Sequence, residues 1–294
     1  MIRKINIENV SKNFGNINAL DNVSFDIPKN SIFGILGSNG SGKTTLMKIM
    51  SGLIKKWSGS IHFNDKKYTN QDLNLSNQFG FLIENPCFYE FLTARQNLEM
   101  LLKISNRTEN HIKDIVESVN LTNRIDDKVE TYSYGMKQRL GLAQTLLHDP
   151  EILVIDEPNN GLDPLGISEM NQIIKNLHDS GKTIIMSSHI LNEIELLCTD
   201  VCILKNGKVL ITESLNELKE KSNIYTIEVN DIENSMKDLD NIDFIKIIKH
   251  INNYITFSSD QKLDTSSINS LLNSNTEIYQ FKKDVNLLKY FHDN

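Results

Sequence analysis

GSNGSGKT, residues 37–44, matches G-x-x-x-x-G-K-[ST] and lies between SIFGILG (31–37), a short apolar run, and TTLMKIMSGL (44–53), whose apolar spacing is helical. A strand, a glycine-rich loop and a helix in that order form a cradle for phosphate. Gly37, Gly40 and Gly42 let the backbone wrap so that successive N–H groups converge on an anion, and the helix N-terminus adds partial positive charge. Ser38, Asn39, Ser41 and Thr45 complete the candidate nucleotide-binding segment. Lys43 is placed to reach the β- and γ-phosphates of a bound nucleotide, and the Thr44 hydroxyl to hold Mg²⁺.

Such a loop calls for a second element, an acid at the end of an apolar strand. EILVIDEP (151–158) supplies two neighbouring acids with separate tasks: Asp156 for Mg²⁺, and Glu157 to polarise an attacking water as general base. From residue 134 the chain alternates helix (134–148), strand (151–156), helix (165–179), strand (182–187), helix (190–197) and strand (200–204). Alternation of this kind predicts parallel strands with crossover helices, so the fold class is α/β. Upstream, residues 2–8, 22–28, 59–64 and 79–84 read as strands, and 93–104 with 108–120 as a helical insertion. Asn206-Gly207 is a hairpin signal, and Ser214 with Glu217 fits a helix cap.

Residues 223–294 change character: they hold no arginine, and seven lysines face eleven acids. The pattern there is βαββαβ followed by a terminal helix, which predicts a small split-βαβ domain. The domain reading is therefore 1–221, with a helical part at about 85–148, and 222–294.

Composition narrows the function. The net charge is −7, which lacks the positive field that non-specific nucleic-acid binding relies on, so nucleic acid is excluded as a main partner. No stretch approaches the roughly 18–20 uninterrupted apolar residues of a spanning helix, and MIRKINIENV lacks the apolar run of a signal peptide. The expected location is the cytoplasmic side. Cys87, Cys198 and Cys202 form no paired framework and read as structural thiols; the histidines other than His189 read as satisfied surface or core residues.

Three further segments, TYSYGMKQRLGLAQTLL (131–147), NNGLDP (159–164) and SSH (187–189), follow in fixed order. With them the chain resembles the ATP-binding-cassette (ABC) transporter ATPases over about residues 2–220. That resemblance implies an ABC-type P-loop nucleotide-binding domain, with a RecA-like α/β core, an antiparallel β subdomain and an α-helical subdomain, followed here by a small C-terminal α+β domain. The family signature LSGGQ corresponds to YSYGM, Tyr132 to Met136. By resemblance, Ser133 and Gly135 contact the γ-phosphate of ATP held by a second copy of the chain, Asp163 lies in the loop crossing that interface, Phe14 stacks on adenine, and His189 contacts the γ-phosphate beside Glu157.

Two departures stand out. Tyr134 and Met136 replace Gly and Gln of the signature, and FLIENP (81–86) carries Glu84 where the family has a glutamine that touches Mg²⁺ and senses the membrane subunit. A carboxylate still suits the metal but adds negative charge beside a triphosphate. Together with IENPCFYEFLTARQNL and GMKQRLGLA, the Glu variant is similar to the ATPases of bacitracin export and lantibiotic immunity. The resemblance implies an ATPase that pairs with separately encoded permease subunits at the cytoplasmic face of the plasma membrane and drives removal of a peptide antibiotic. Residues 84–120, with Phe88, Tyr89 and Phe91, are the candidate docking surface. The alternatives are the ATPase of another ABC-2-type exporter for a drug or lipid, a soluble non-transport ABC ATPase, and a non-hydrolysing regulatory subunit, against which intact Lys43, Asp156, Glu157 and His189 speak.

Overall fold

The structure, a computed structural model, describes residues 4–63, 66–68, 78–105, 110–273, 276–285 and 287. The chain divides into two compact units, Met1–Glu213 and Ser214–Asn294.

The first unit begins with β1 (Lys4–Phe14), β2 (Ile17–Pro28) and β3 (Ile32–Leu36), then α1 (Lys43–Met50), β4 (Ser58–Phe63), β5 (Lys66–Tyr68) and β6 (Phe79–Leu82). There follow α2 (Ala94–Ser105), α3 (Asn110–Ser118), α4 (Tyr134–Leu146), β7 (Ile152–Ile155), α5 (Pro164–Asp179), β8 (Thr183–Ser188), α6 (Leu191–Leu197), β9 (Asp200–Lys205) and β10 (Lys208–Ser214). Two sheets form. One has the order β2-β1-β4-β5 and is antiparallel, and the other has the order β10-β9-β3-β8-β7-β6, in which β9, β3, β8, β7 and β6 run parallel to one another. Strand β3 reads IFGIL and is buried throughout, as is β7, ILVI. Strands covered on both faces have no reason to alternate.

One apolar cluster joins β1, β2 and β4 to α1 and to one face of the parallel sheet, through Ile7, Leu20, Phe33, Leu46 and Val154. A second packs α2 to α5 on the other face, through Leu98, Val116, Leu142, Ile173 and Met186. The parallel sheet is thus sandwiched, which fixes where its strand ends emerge. Strands β1 and β2 run well beyond the expected 2–8 and 22–28. Register shifts between Ile7 and Val10 and between Val10 and Lys12, with Asn9 and Asn22 at positive φ, break the two-residue alternation by which a strand is recognised. Asn206 and Gly207 both take positive φ, the geometry of a two-residue hairpin turn, between β9 and β10.

The second unit comprises α7 (Leu215–Lys221), β11 (Ile224–Val229), α8 (Ile232–Asp240), β12 (Ile245–Ile251), β13 (Tyr254–Ser259), α9 (Thr265–Leu271) and β14 (Ile278–Asp284). Its sheet has the order β12-β13-β11-β14, antiparallel throughout. Tyr225, Ile227, Ile255 and Phe257 pack with Leu239 of α8 and Ile268 of α9 on one face. Helix α7, which the sequence reading places with the first domain, belongs to this unit, and the Ser214 hydroxyl caps it by accepting the Glu217 N–H at 3.2 Å. The terminal helix read after 282 lies outside the described residues.

Cys202 is fully buried and burial pushes its thiol up to about 12; Cys198 is shifted in the same direction by the same cause. Cys87 departs from the expected pattern and is exposed. No helix among the described residues is long and apolar enough to cross a membrane.

Candidate functional site

Adjacent strands β3, β8 and β7 deliver their carboxyl ends to one edge of the parallel sheet, the crevice where open α/β sheets bind ligands. From β3 comes the glycine-rich loop, from β7 the pair Asp156 and Glu157, and from β8 the Ser187–Ser188–His189 turn. The parallel register pairs Ile155 with Met186 and Leu36 with Ser188, so these three segments start level. A cleft of about 490 Å³ opens here, lined by Asn39, Gly40, Lys43, Thr44, Glu157 and His189 among others. That size suits a nucleotide.

Gly42 caps α1 at φ 109°, a conformation L side chains rarely adopt, and a Cβ there would meet the Ala19 carbonyl oxygen at 2.6 Å. Glycine is required twice over, by conformation and by space. The Lys43 side chain is 5% exposed. Its ammonium donates to the Gly37 and Ser38 carbonyls at 2.8 and 3.3 Å and lies 3.3 Å from Glu157 Oε1. A cation is therefore held at the mouth of the loop rather than out in water. The Ser41 hydroxyl is buried with no hydrogen-bond partner among the described residues, a polar orphan in the same loop.

Thr44 Oγ1 donates to Asp156 Oδ2 at 2.8 Å, and the other oxygen of Asp156 accepts from the Ser187 hydroxyl. The pair fits Mg²⁺: two hard oxygen donors stand side by side next to the phosphate loop, and among the described residues no three acids, histidines or cysteines cluster to hold a metal by themselves. Thr44 and Asp156 would supply the protein oxygens for such an ion, leaving room for phosphate and water, the usual habit of Mg²⁺. Glu157 sits at φ 49° with its side chain 19% exposed. Its N–H donates to Ser187 Oγ at 2.9 Å, and Oε2 lies 2.8 Å from His189 Nδ1. One carboxylate oxygen thus faces Lys43 and the other His189. Such an acid, fixed at both oxygens beside a phosphate cradle, can orient and deprotonate water.

The remaining candidates stand apart from this cleft. Ser133 caps α4, its hydroxyl accepting the Met136 N–H at 3.2 Å, and Asp163 caps α5 by accepting the Gly166 N–H at 2.8 Å. Gly135 lies in the first turn of α4. None of the three lines the cleft. Phe14 ends β1, 47% exposed, with the Lys12 ammonium 4.5 Å from its ring centre. The Glu84 side chain is 65% exposed and pairs with Lys48 of α1, rather than meeting Thr44 and Asp156. Of the docking aromatics, Tyr89 and Phe91 are exposed and meet edge to face at 6.0 Å, whereas Phe88 packs on the helical cluster.

Sequence reasoning missed Ser187, whose hydroxyl ties Asp156 to the Glu157 backbone, and Glu193, which is buried and accepts from the Ser188 hydroxyl one residue before His189. A serine in an apolar strand carries no signal of its own. Only the strand register, which sets residue 187 beside 156, could reveal it. Ile17, Asn18, Ala19 and Asn206, which also line the cleft, were equally silent in the sequence.

Residues 20–160 match the family model described as ABC transporter. The uncharacterized ABC transporter ATP-binding protein YhcH of Bacillus subtilis is 42% identical over 215 residues, 72% of this chain and 70% of that protein. The lantibiotic transport ATP-binding protein SrtF of Streptococcus pyogenes is 39% identical over 220 residues, 73% of this chain and 95% of SrtF. The bacitracin transport ATP-binding protein BcrA of Bacillus licheniformis is 40% identical over 223 residues, 75% of this chain and 73% of BcrA. Among solved structures, a dimeric post-hydrolysis state of the ATP-binding cassette MJ0796 bound to ADP and Pi superposes with a TM-score of 0.64 at 27% identity, covering 72% of this chain and 98% of that one.

Proposed function

The chain belongs to the ABC transporter family as one of its ATP-binding subunits, and from that premise we propose that it powers the export or expulsion of a peptide antibiotic of the lantibiotic or bacitracin type. It is an ATPase; subunits of this kind dimerise and work with separate membrane permeases. The observation that carries the substrate reading is the 39–40% identity to SrtF and BcrA across nearly the whole cassette. Glu84 in FLIENP, shared by resemblance with that group, supports it.

In the proposed mechanism the first unit, Met1–Glu213, is the engine and the second, Ser214–Asn294, an accessory domain. The loop from Gly37 to Thr45 wraps the triphosphate, Lys43 turns to the β- and γ-phosphates, and Phe14 stacks on the base. Thr44 and Asp156 would hold Mg²⁺, and the ion would supply positive charge against the phosphates. Glu157 takes a proton from the attacking water while His189, 2.8 Å away, fixes the orientation of its carboxylate. Ser133, Gly135 and Asp163 act on the site of a second copy, so ATP closes the pair because the closed state holds it more tightly. The permease docks at residues 84–120, where Tyr89 and Phe91 are exposed, and Glu84 relays its position.

The test places the chain and its permease in a sensitive host and measures survival against a lantibiotic and against bacitracin. The reading predicts resistance that Glu157→Gln abolishes and Glu84→Gln reduces more than it reduces phosphate release by the isolated subunit. Resistance to neither compound, with export of an unrelated drug or lipid, overturns the substrate assignment.

A further inference from the structure

Tyr134 stands where the family signature has glycine, and its side chain has a definite place. The hydroxyl donates to Asn85 Oδ1 at 2.9 Å and accepts from Gln138 Nε2 at 2.8 Å. Its ring covers Gly161, where an added Cβ would approach the ring edge to 3.1 Å and where φ is 78°. One phenol therefore touches three segments at once: the N-terminal turn of α4 beside Ser133, the loop after β6, and the loop that runs from Glu157 to Asp163.

The loop after β6 is itself fastened at both ends. Glu84, at φ 65°, pairs with Lys48 of α1, the helix that begins with Lys43. Pro86 packs on Gly141 of α4, where a Cβ would come within 2.8 Å of the proline ring. Further along, Lys137 of α4 pairs with Glu90. Glu84-Asn85-Pro86 thus forms a strap from the phosphate-loop helix to the signature helix, and the Tyr134 hydroxyl closes it next to Ser133.

We propose that Tyr134 is a positioning residue: through Asn85 it holds the Ser133 end of α4 in register with the phosphate loop of its own chain, so that the chain presents its signature correctly to the ATP of a second copy. Glycine at this position can make neither the hydrogen bond nor the ring contact. The inference rests on the two-copy ATP site proposed above. Its energetic scale is that of one hydrogen bond, which amounts to about a two- to tenfold effect.

The test uses the full chain carrying Glu157→Gln and reads the protein concentration at which MgATP drives dimerisation, by sedimentation. Tyr134→Phe and Asn85→Ala are each expected to weaken dimerisation about two- to tenfold, and the double variant no more than the worse single one. ATP affinity of the unpaired chain and its Tm should match the parent. Dimerisation equal to the parent in both single variants, additive losses in the double, or a Tm that falls in step with dimerisation overturns the positioning role alone. A parent that forms no dimer with MgATP overturns the two-copy site and this inference with it.

Discussion

The phosphate half and the signature half of the proposed site belong to the same chain yet are built differently. Around Lys43 the groups converge: Thr44 on Asp156, Glu157 between Lys43 and His189, and Ser187 bridging both acids. Around Ser133 and Asp163 no comparable set of charged groups meets among the described residues: each side chain caps its own helix, neither lines the cleft, and the ring of Tyr134 is what links the two segments. The first half is a finished pocket wall held by three strand ends, and the second is two helix N-termini offered outward. A helix N-terminus attracts phosphate but does not bind it tightly alone. The contrast is what the proposed two-copy site requires: a finished phosphate half and an exposed signature half that a second copy would complete.

The largest expected effect strikes the finished half. Lys43→Ala should lower phosphate release at least ~100-fold, the order of loss for a positioned group that stabilises transferring phosphate. Activity near that of the unaltered chain would remove the lysine from the site. Gly42→Ala is next: at φ 109° and 2.6 Å from the Ala19 carbonyl, the added methyl should cost about 1–3 kcal/mol of stability, read as a lower Tm, and impair ATP binding. The same change at Gly135, whose Cβ would meet only Leu162 at 3.4 Å, should be far milder in the unpaired chain.

Ser133→Ala sharpens the contrast from the other side. Loss of the cap should cost about 1 kcal/mol, leave ATP binding by the unpaired chain intact, and weaken ATP-driven pairing. Aspartate in its place keeps a good cap while setting negative charge against phosphate, so Ser133→Asp should spare Tm yet abolish hydrolysis. The smallest effect concerns thiols. Cys202 behind the phosphate loop is buried and its thiol is pushed up from 9.0 to about 12 by desolvation, whereas Cys87, two residues beyond Asn85, is exposed. At pH 8 a thiol reagent should label one cysteine in the folded chain and three after unfolding. Because the folded pKa of Cys202 is the higher one, its contribution to stability is complete below about pH 9 and declines as pH rises toward 12, where the unfolded thiol ionises first.

The two halves were also unequally legible. The phosphate half is written in short local words, GSNGSGKT and EILVIDEP, because backbone wrapping and strand-end acids require particular residues at fixed spacing. Its supports were not: Ser187 acquires meaning only from strand register, and Lys48 with Glu84 only from the approach of α1 to a loop 36 residues later. The signature half reads through resemblance alone, and Tyr134 reads from sequence as a departure. Its bond to Asn85 spans 49 residues and no periodicity encodes it. Strands β1 and β2 were underread for a related reason, since asparagines at positive φ shift their register and erase the alternation.

The central claim, that a working site takes its phosphate loop from one chain and its signature from another, is tested most directly by mixing two inactive chains. Lys43→Ala spoils only the phosphate half and Ser133→Asp only the signature half. In the mixed pair one site joins the intact phosphate loop of the second variant to the intact signature of the first. Equal amounts should regain about a quarter of the unaltered sites by random pairing, seen as ATP hydrolysis that neither chain shows alone. A mixture as inactive as its components, with mixed pairs demonstrably present, would contradict the account.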